Sequence, residues 1–209
     1  PTHRFLSYAT LGSRSQLRFI PLSALAEYDP LMGSEENLLA LGEGYEPRNL
    51  ERGSRVVAIL PEAPTTVLQL PRGNLEGIYP RALVLPFSMH LIEHEKYGQA
   101  MEIMRRQKID LNLFCDMDPV HFLEGDGVAK FVTAVGTIDY LNLFISCLFD
   151  GDITKWKYRV PSWFGESTAV DVKERTLHKK DFDFTTKVNQ VCGKIREVMM
   201  QFESDGKTL

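Results

Sequence analysis

The sequence predicts a β part followed by an α part. Three observations carry that reading. Four or five short runs before Pro71 alternate apolar and polar residues and are punctuated by glycine and proline, as strands are. Beyond that point Leu75, Ile78, Tyr79, Ala82, Leu83 and Leu85 recur at helical spacing. The period changes from two to 3.6 at Arg72–Asn74, inside TVLQLPRGNLEGIYPRALVL (Thr66–Leu85). Residues 1–71 are therefore expected to supply strands and residues 72–209 a helical array, with a long irregular connection at about 150–182.

Phe5–Thr10 reads as the first strand, Gly12–Ser15 as a turn, and Leu17–Leu22 as a second strand placed near an edge by Pro21. Residues 23–37 read as a polar loop and Leu38–Leu41 as a short strand. Ser54–Leu60 is the best strand of the set, and Thr66–Leu70 follows at hairpin distance. Strands so spaced suit part of a sandwich, a barrel or a propeller blade, and the long polar loops favour the propeller.

Asn74 has the chemistry of a helix N-cap, and Pro80 suits the first position of a second helix after a short turn. Leu75, Tyr79 and Leu83 are expected to be buried there, with Arg72 and Arg81 flanking the joint to hold carboxylates or carbonyls. Ala82–Glu95 is a helix that Pro86 should bend, and Tyr97–Gln107 is a second, with Ala100, Ile103 and Met104 on one stripe. Asn112–Asp116 makes a helical turn. Asp118-Pro119 is a clean helix start leading into Val120–Leu123. Val128–Val135 is short, and Thr137–Phe149 is the most apolar helix and is expected to be central. Thr185–Phe202 closes the chain as an amphipathic helix with Val188, Val191, Cys192, Ile195, Val198 and Met199 on one face. Short helices with short turns suggest stacked helical hairpins, that is, an α-solenoid.

The bulk numbers narrow the classes. Hydrophobic residues at 44% and charged residues at 25% fit a soluble globular chain, and a formal net charge of −4 gives no global pull toward nucleic acid or anionic membrane. Cys115, Cys147 and Cys192 are far apart, which suits a reducing compartment, and the first two are expected in the core. No apolar run approaches the roughly 18 residues of a membrane span, and the N-terminus lacks a signal-peptide layout. The expected location is intracellular.

His90-Leu91-Ile92-Glu93-His94 matches H-x-x-E-H, in which two histidines one turn apart ligate zinc and the glutamate acts as base. The alternative function it suggests is a zinc-dependent hydrolase, although Pro86 and the lack of a third ligand favour an ordinary surface helix. Asp116, Asp118, Glu124 and Asp126 fail calcium-loop spacing, because Val120 and His121 occupy required positions. Lys155, Lys157 and Arg159 interleave with Trp156 and Tyr158, as in a small RNA-binding module, but a solvated loop pinned by its aromatics is the preferred reading.

Three long motifs carry more. PRGNLEGIYPRALVL (Pro71–Leu85), KIDLNLFCDMDPVHFL (Lys108–Leu123) and DYLNLFISCL (Asp139–Leu148), flanked by ERGSRVVAILP (Glu51–Pro61) and DITKWKYRVP (Asp152–Pro161), resemble the IKAP family, the largest subunits of the Elongator complex. The resemblance implies terminal strands of the second WD-repeat β-propeller joined to the start of an α-solenoid with TPR-like hairpins. It implies a non-catalytic scaffold with no cofactor and no metal. Such a scaffold holds the catalytic radical-SAM and acetyltransferase-like subunit, with a propeller subunit, in a dimeric complex that modifies the wobble uridine of tRNA. The family's dimerisation surface and basic tRNA segment lie nearer its C-terminus. The expected location is the cytoplasm, with the nucleus second. Arg72, Asn74, Tyr79 and Arg81 are the candidate domain-junction residues.

Overall fold

The chain begins with two three-stranded antiparallel sheets and continues as helices. The computed structural model describes residues 5–10, 14–26, 28–29, 33–158, 179 and 181–206. The first sheet orders β1 (Phe5–Thr10), β2 (Gln16–Pro21) and β3 (Arg48–Asn49) with β2 central. Phe5 stands opposite Pro21 and Thr10 opposite Gln16. The second sheet orders β4 (Arg55–Ile59), β5 (Thr66–Gln69) and β6 (Leu75–Ile78), with a bulge between Val56 and Ala58.

β6 corrects the expected joint. Thr66 pairs with Ile78 and Gln69 with Leu75, so the sheet runs past Arg72–Asn74. The turn between is closed by Leu70 N–H to the Asn74 carbonyl and by Gly73 N–H to the Leu70 carbonyl, both 2.8 Å, with Gly73 at φ 90°. Pro71 and Gly73 are turn residues in their preferred roles. The four residues that follow, interrupted by Gly77 and ended by Pro80, are too few to nucleate a helix, while β5 offers a ready ladder. Asn74 is thus a hairpin residue and not a cap. Leu75 is 66% exposed and Tyr79 47%, against the expectation that both are buried. The change to helix comes at Tyr79–Pro80, beyond the expected 71/72 boundary. Val84 N–H donates to the Pro80 carbonyl at 2.9 Å, so Pro80 immediately precedes the helix, one residue from its expected place.

Two short helices also replace expected loop and strand. α1 (Leu22–Ala26) falls in the presumed loop, and α2 (Glu35–Ala40) takes in most of Leu38–Leu41. Ser34 caps α2 by accepting from Asn37 N–H, which sets the run helical. The strand-side core is Leu17, Phe19, Tyr45, Leu68 and Ile78, closed by Ala82 and Leu83. Phe5 meets Tyr45 edge-on at 4.9 Å, and burial pushes the Tyr45 hydroxyl up to about 12.

Among the described residues, the helices that follow are α3 (Arg81–Glu93), α4 (Tyr97–Arg106), α5 (Leu113–Asp116), α6 (Pro119–Leu123), α7 (Gly127–Val135), α8 (Ile138–Cys147) and α9 (Lys187–Ser204). Two compact units result, divided between Phe87 and Ser88 within α3. α3 runs on through Pro86 and is buried on most sides, from Ala82 to Ile92. Asp118 caps α6 as expected, accepting from His121 N–H at 3.1 Å with Pro119 next.

Five consecutive helices each give one ring to the core of the second unit. These are Tyr97, Phe114, Phe122, Phe131 and Phe144, from α4 to α8 in turn. Phe131 lies 4.8–5.7 Å from the other four ring centres, in tilted or edge-on contacts. Gly98 lets α4 approach α7, since a Cβ there would stand 2.6 Å from the Ala134 carbonyl oxygen. α8 is not central as expected. Leu141 and Phe144 are buried, but Ile138 is 58% exposed, and Leu143 and Ile145 are also exposed.

α3 and α4 end alike. Lys96 N–H reaches the Leu91 carbonyl at 2.8 Å and Glu95 N–H the Ile92 carbonyl at 3.0 Å; Ile109 and Lys108 repeat the pattern on Met104 and Arg105. Both are Schellman ends, which favour glycine at the left-handed position. Here Glu95 (φ 55°) and Lys108 (φ 52°) occupy it. Glu95 is gripped by Lys130 at 2.9 Å and His121 at 3.1 Å, which holds its carboxyl below the usual range.

Candidate functional site

Of the junction candidates, Arg72 lies exposed in the β5–β6 turn, and Arg81 opens α3. Arg81 lines a cleft of about 330 Å³ with Phe19, Glu46, Pro47, Arg48, Asn49 and Pro80. Asn74 and Tyr79 do not line that cleft. The sequence reading thus places one of its four candidates, Arg81, on a concave surface.

The dominant polar site was not foreseen. Lys187, the first residue of α9, is fully buried, and its ammonium donates to Asp116 Oδ1 (2.8 Å), Asn112 Oδ1 (3.0 Å) and the Gly151 carbonyl (2.6 Å). That uses all three lysine donors. The Phe149 ring covers the cation, its centroid 4.8 Å away. Asp116 Oδ2 accepts from Ile153 N–H at 2.9 Å. Asn112 donates to the Cys147 carbonyl and to Asp110 Oδ1, both at 2.8 Å, and accepts from Phe149 N–H at 3.3 Å. Burial pushes the Asp116 carboxyl above its ordinary value, against the opposing pull of Lys187 and Ile153 N–H. Lys179 adds a second layer, donating to the Asp116 carbonyl, to Thr154 Oγ1 (2.6 Å) and to Asp152. The network joins α5, the end of α8, the turn Ile153–Lys155 and the start of α9. Its sequence signal was available. Lys187 sits on the apolar stripe of Val191, Ile195 and Val198, and Asn112 and Asp116 stand one turn apart in an otherwise apolar run.

The basic–aromatic stretch serves the same fastening. Tyr158 is buried and its hydroxyl accepts from Asp110 N–H at 2.9 Å. Lys157 pairs with Asp110 at 2.6 Å, and Lys155 lies 3.9 Å from Asp152. Trp156 is 63% exposed. Burial raises Asp110, but bonds from Lys157 and Asn112 prevail and hold it below the ordinary range. Arg159 and most of the expected 150–182 connection lie outside the described residues. Cys115 is buried, and burial pushes its thiol far up; Cys147 is exposed, contrary to expectation.

The H-x-x-E-H motif does assemble. His90, Glu93 and His94 bring one donor atom each to within 4.8 Å of the others, at the end of α3. The two imidazole centroids are 4.1 Å apart.

A family model described as ELP1 alpha-solenoid matches residues 81–209, starting where α3 starts. The chain belongs to the Elongator complex protein 1 family. Elongator complex protein 1 of Saccharomyces cerevisiae is 36% identical over 207 residues, which is 95% of this chain and 15% of that relative. The Schizosaccharomyces pombe protein of the same name is 34% identical over 196 residues, 94% of the chain and 14% of the relative. That of Rattus norvegicus is 40% identical over 152 residues, 73% of the chain and 10% of the relative. The chain therefore spans a small fraction of the Elongator complex protein 1 relatives it matches, and its helical unit falls in their solenoid.

Proposed function

We propose that this chain is a non-catalytic scaffold segment of an Elongator complex, joining the last strands of a WD-repeat propeller to the start of the solenoid. The observation that carries the reading is the match to Elongator complex protein 1 along 95% of the chain. Two features of the strand unit support the propeller assignment. Among the described residues both sheets end in unpaired edges, at β1, β3, β4 and β6. The Ser7, Ser54 and Thr66 hydroxyls and Arg18 Nε are buried without a hydrogen-bond partner among the described residues, as expected of strands that take further neighbours. The helical unit supports the scaffold role, because the buried network around Lys187 and a shared aromatic core tie its helices together. On this reading the segment helps to hold the catalytic subunit and a propeller subunit while the complex modifies the wobble uridine of tRNA. The whole protein dimerises through other regions. It works in the cytoplasm, with the nucleus as a second location.

The test is a chimaera in which these residues replace the matching segment of the Saccharomyces cerevisiae relative. Retained co-purification of the catalytic subunit and retained wobble-uridine modification are expected. A stable, expressed chimaera that recruits no catalytic subunit overturns the reading.

A further inference from the structure

We propose that His90, Glu93 and His94 form a binding site for a divalent transition metal of zinc type, which locks the corner between α3 and α4. This goes beyond the scaffold reading and stands without it. Four observations converge. The three side chains present donor atoms within 4.8 Å of one another, and the two rings sit 4.1 Å apart. Their i, i+3, i+4 spacing places them on one helical face. A ring nitrogen of His94, Nδ1, lies 2.8 Å from the His90 carbonyl oxygen. A carbonyl accepts only, so Nδ1 carries the hydrogen and Nε2 keeps its lone pair for a metal. This is the outer-shell bond that metal-binding imidazoles commonly make.

The fourth observation is position. His90 and Glu93 lie in the last turn of α3 and His94 directly follows it, at the end of the helix where the dipole is negative and favours a cation. Zinc bonds imidazole nitrogen and carboxylate oxygen at about 2.0–2.2 Å, and the exposed His94 ring can close the remaining gap by a small rotation. Water completes the shell. The consequence is mechanical. Glu93 ends α3, His94 follows it, and Glu95 next turns left-handed. An ion bridging these residues to His90 fixes the last turn against unwinding.

The test is calorimetric titration of the 209-residue chain with zinc chloride, alongside thermal melting. One zinc per chain and a raised melting temperature are expected. His90→Gln and His94→Gln should each weaken binding at least about tenfold, and Glu93→Gln about tenfold, while His121→Gln leaves it unchanged. His94 is exposed, so His94→Gln keeps the experiment decisive if His90→Gln does not fold. No zinc binding overturns the site. So does binding that survives in His94→Gln, or that is lost in His121→Gln.

Discussion

The strand unit and the helical unit are held by contacts of different reach. In the strand unit the longest ladders are hairpins: β1 with β2, β4 with β5, β5 with β6. Several of its polar groups are buried without a hydrogen-bond partner among the described residues, and apolar Val57, Leu60, Leu75 and Tyr79 are exposed. In the helical unit, bonds from Lys187 close loops of 71 and 75 residues, to Asp116 and Asn112, and one ring from each of five helices meets in one cluster. The first unit is fastened mainly by hairpin neighbours, while the second closes over long sequence separations around a charge. The contrast shows how one short chain combines locally paired strands with helices joined across long sequence separations.

The sharpest way to break the contrast is to remove the buried cation. Lys187→Met leaves the buried Asp116 carboxyl without its cation, and should cost about 3–5 kcal/mol in urea unfolding. Replacing Asp116 by Leu as well should recover part of that loss. A single-variant cost under about 1 kcal/mol would remove the network from its central role. In the strand unit, Leu68→Ala opens a cavity in the small core and should cost about 2–4 kcal/mol, read as faster hydrogen exchange in β4–β6.

Smaller effects sharpen the picture. Lys108 is exposed and left-handed, so Lys108→Gly should stabilise by about 1 kcal/mol, measured as a raised urea midpoint. Glu95 and Asp110 are held below their ordinary range by their lysine partners. Their contribution is complete above an unfolded carboxylate pKa of about 4 and is lost as pH falls through the lower folded values. Stability should therefore decline below about pH 4 in a melting series, and Glu95→Gln with Asp110→Asn should flatten that decline. The smallest change is Asn74→Ala, expected within about 0.5 kcal/mol of wild type, because Asn74 is a hairpin residue. A cost near 1 kcal/mol in thermal melts would restore the capping role.

Local chemistry was legible in the residues and distant chemistry was not. Asp118-Pro119 announced α6 because a cap and its helix lie within one turn. The strand at Leu75–Ile78 was misread because Leu75, Ile78, Tyr79 and Ala82 imitate a helical stripe. The turn residues Pro71 and Gly73, and the break at Pro80, outweighed that stripe. Leu38–Leu41 was too short an apolar run to tell helix from strand without weighing the Ser34 cap. α8 looked central by composition, yet burial follows which face meets neighbours, and Leu141 and Phe144 alone define that face. Lys187 escaped notice because its side-chain partners Asp116 and Asn112 lie more than 70 residues away. Among the junction candidates, Arg81 lines a cleft and Arg72 marks only a turn.

The five-ring cluster carries one more implication. Repeat arrays usually lengthen or shorten by whole hairpins, since each repeat leans on its immediate neighbours. Phe131 instead touches rings from four other helices at once. Excising α4, α5, α6 or α8 would leave a vacancy beside Phe131 that an adjacent hairpin has no ring to fill, and excising α7 would remove Phe131 itself, so this stretch can vary by substitution but not by counting repeats.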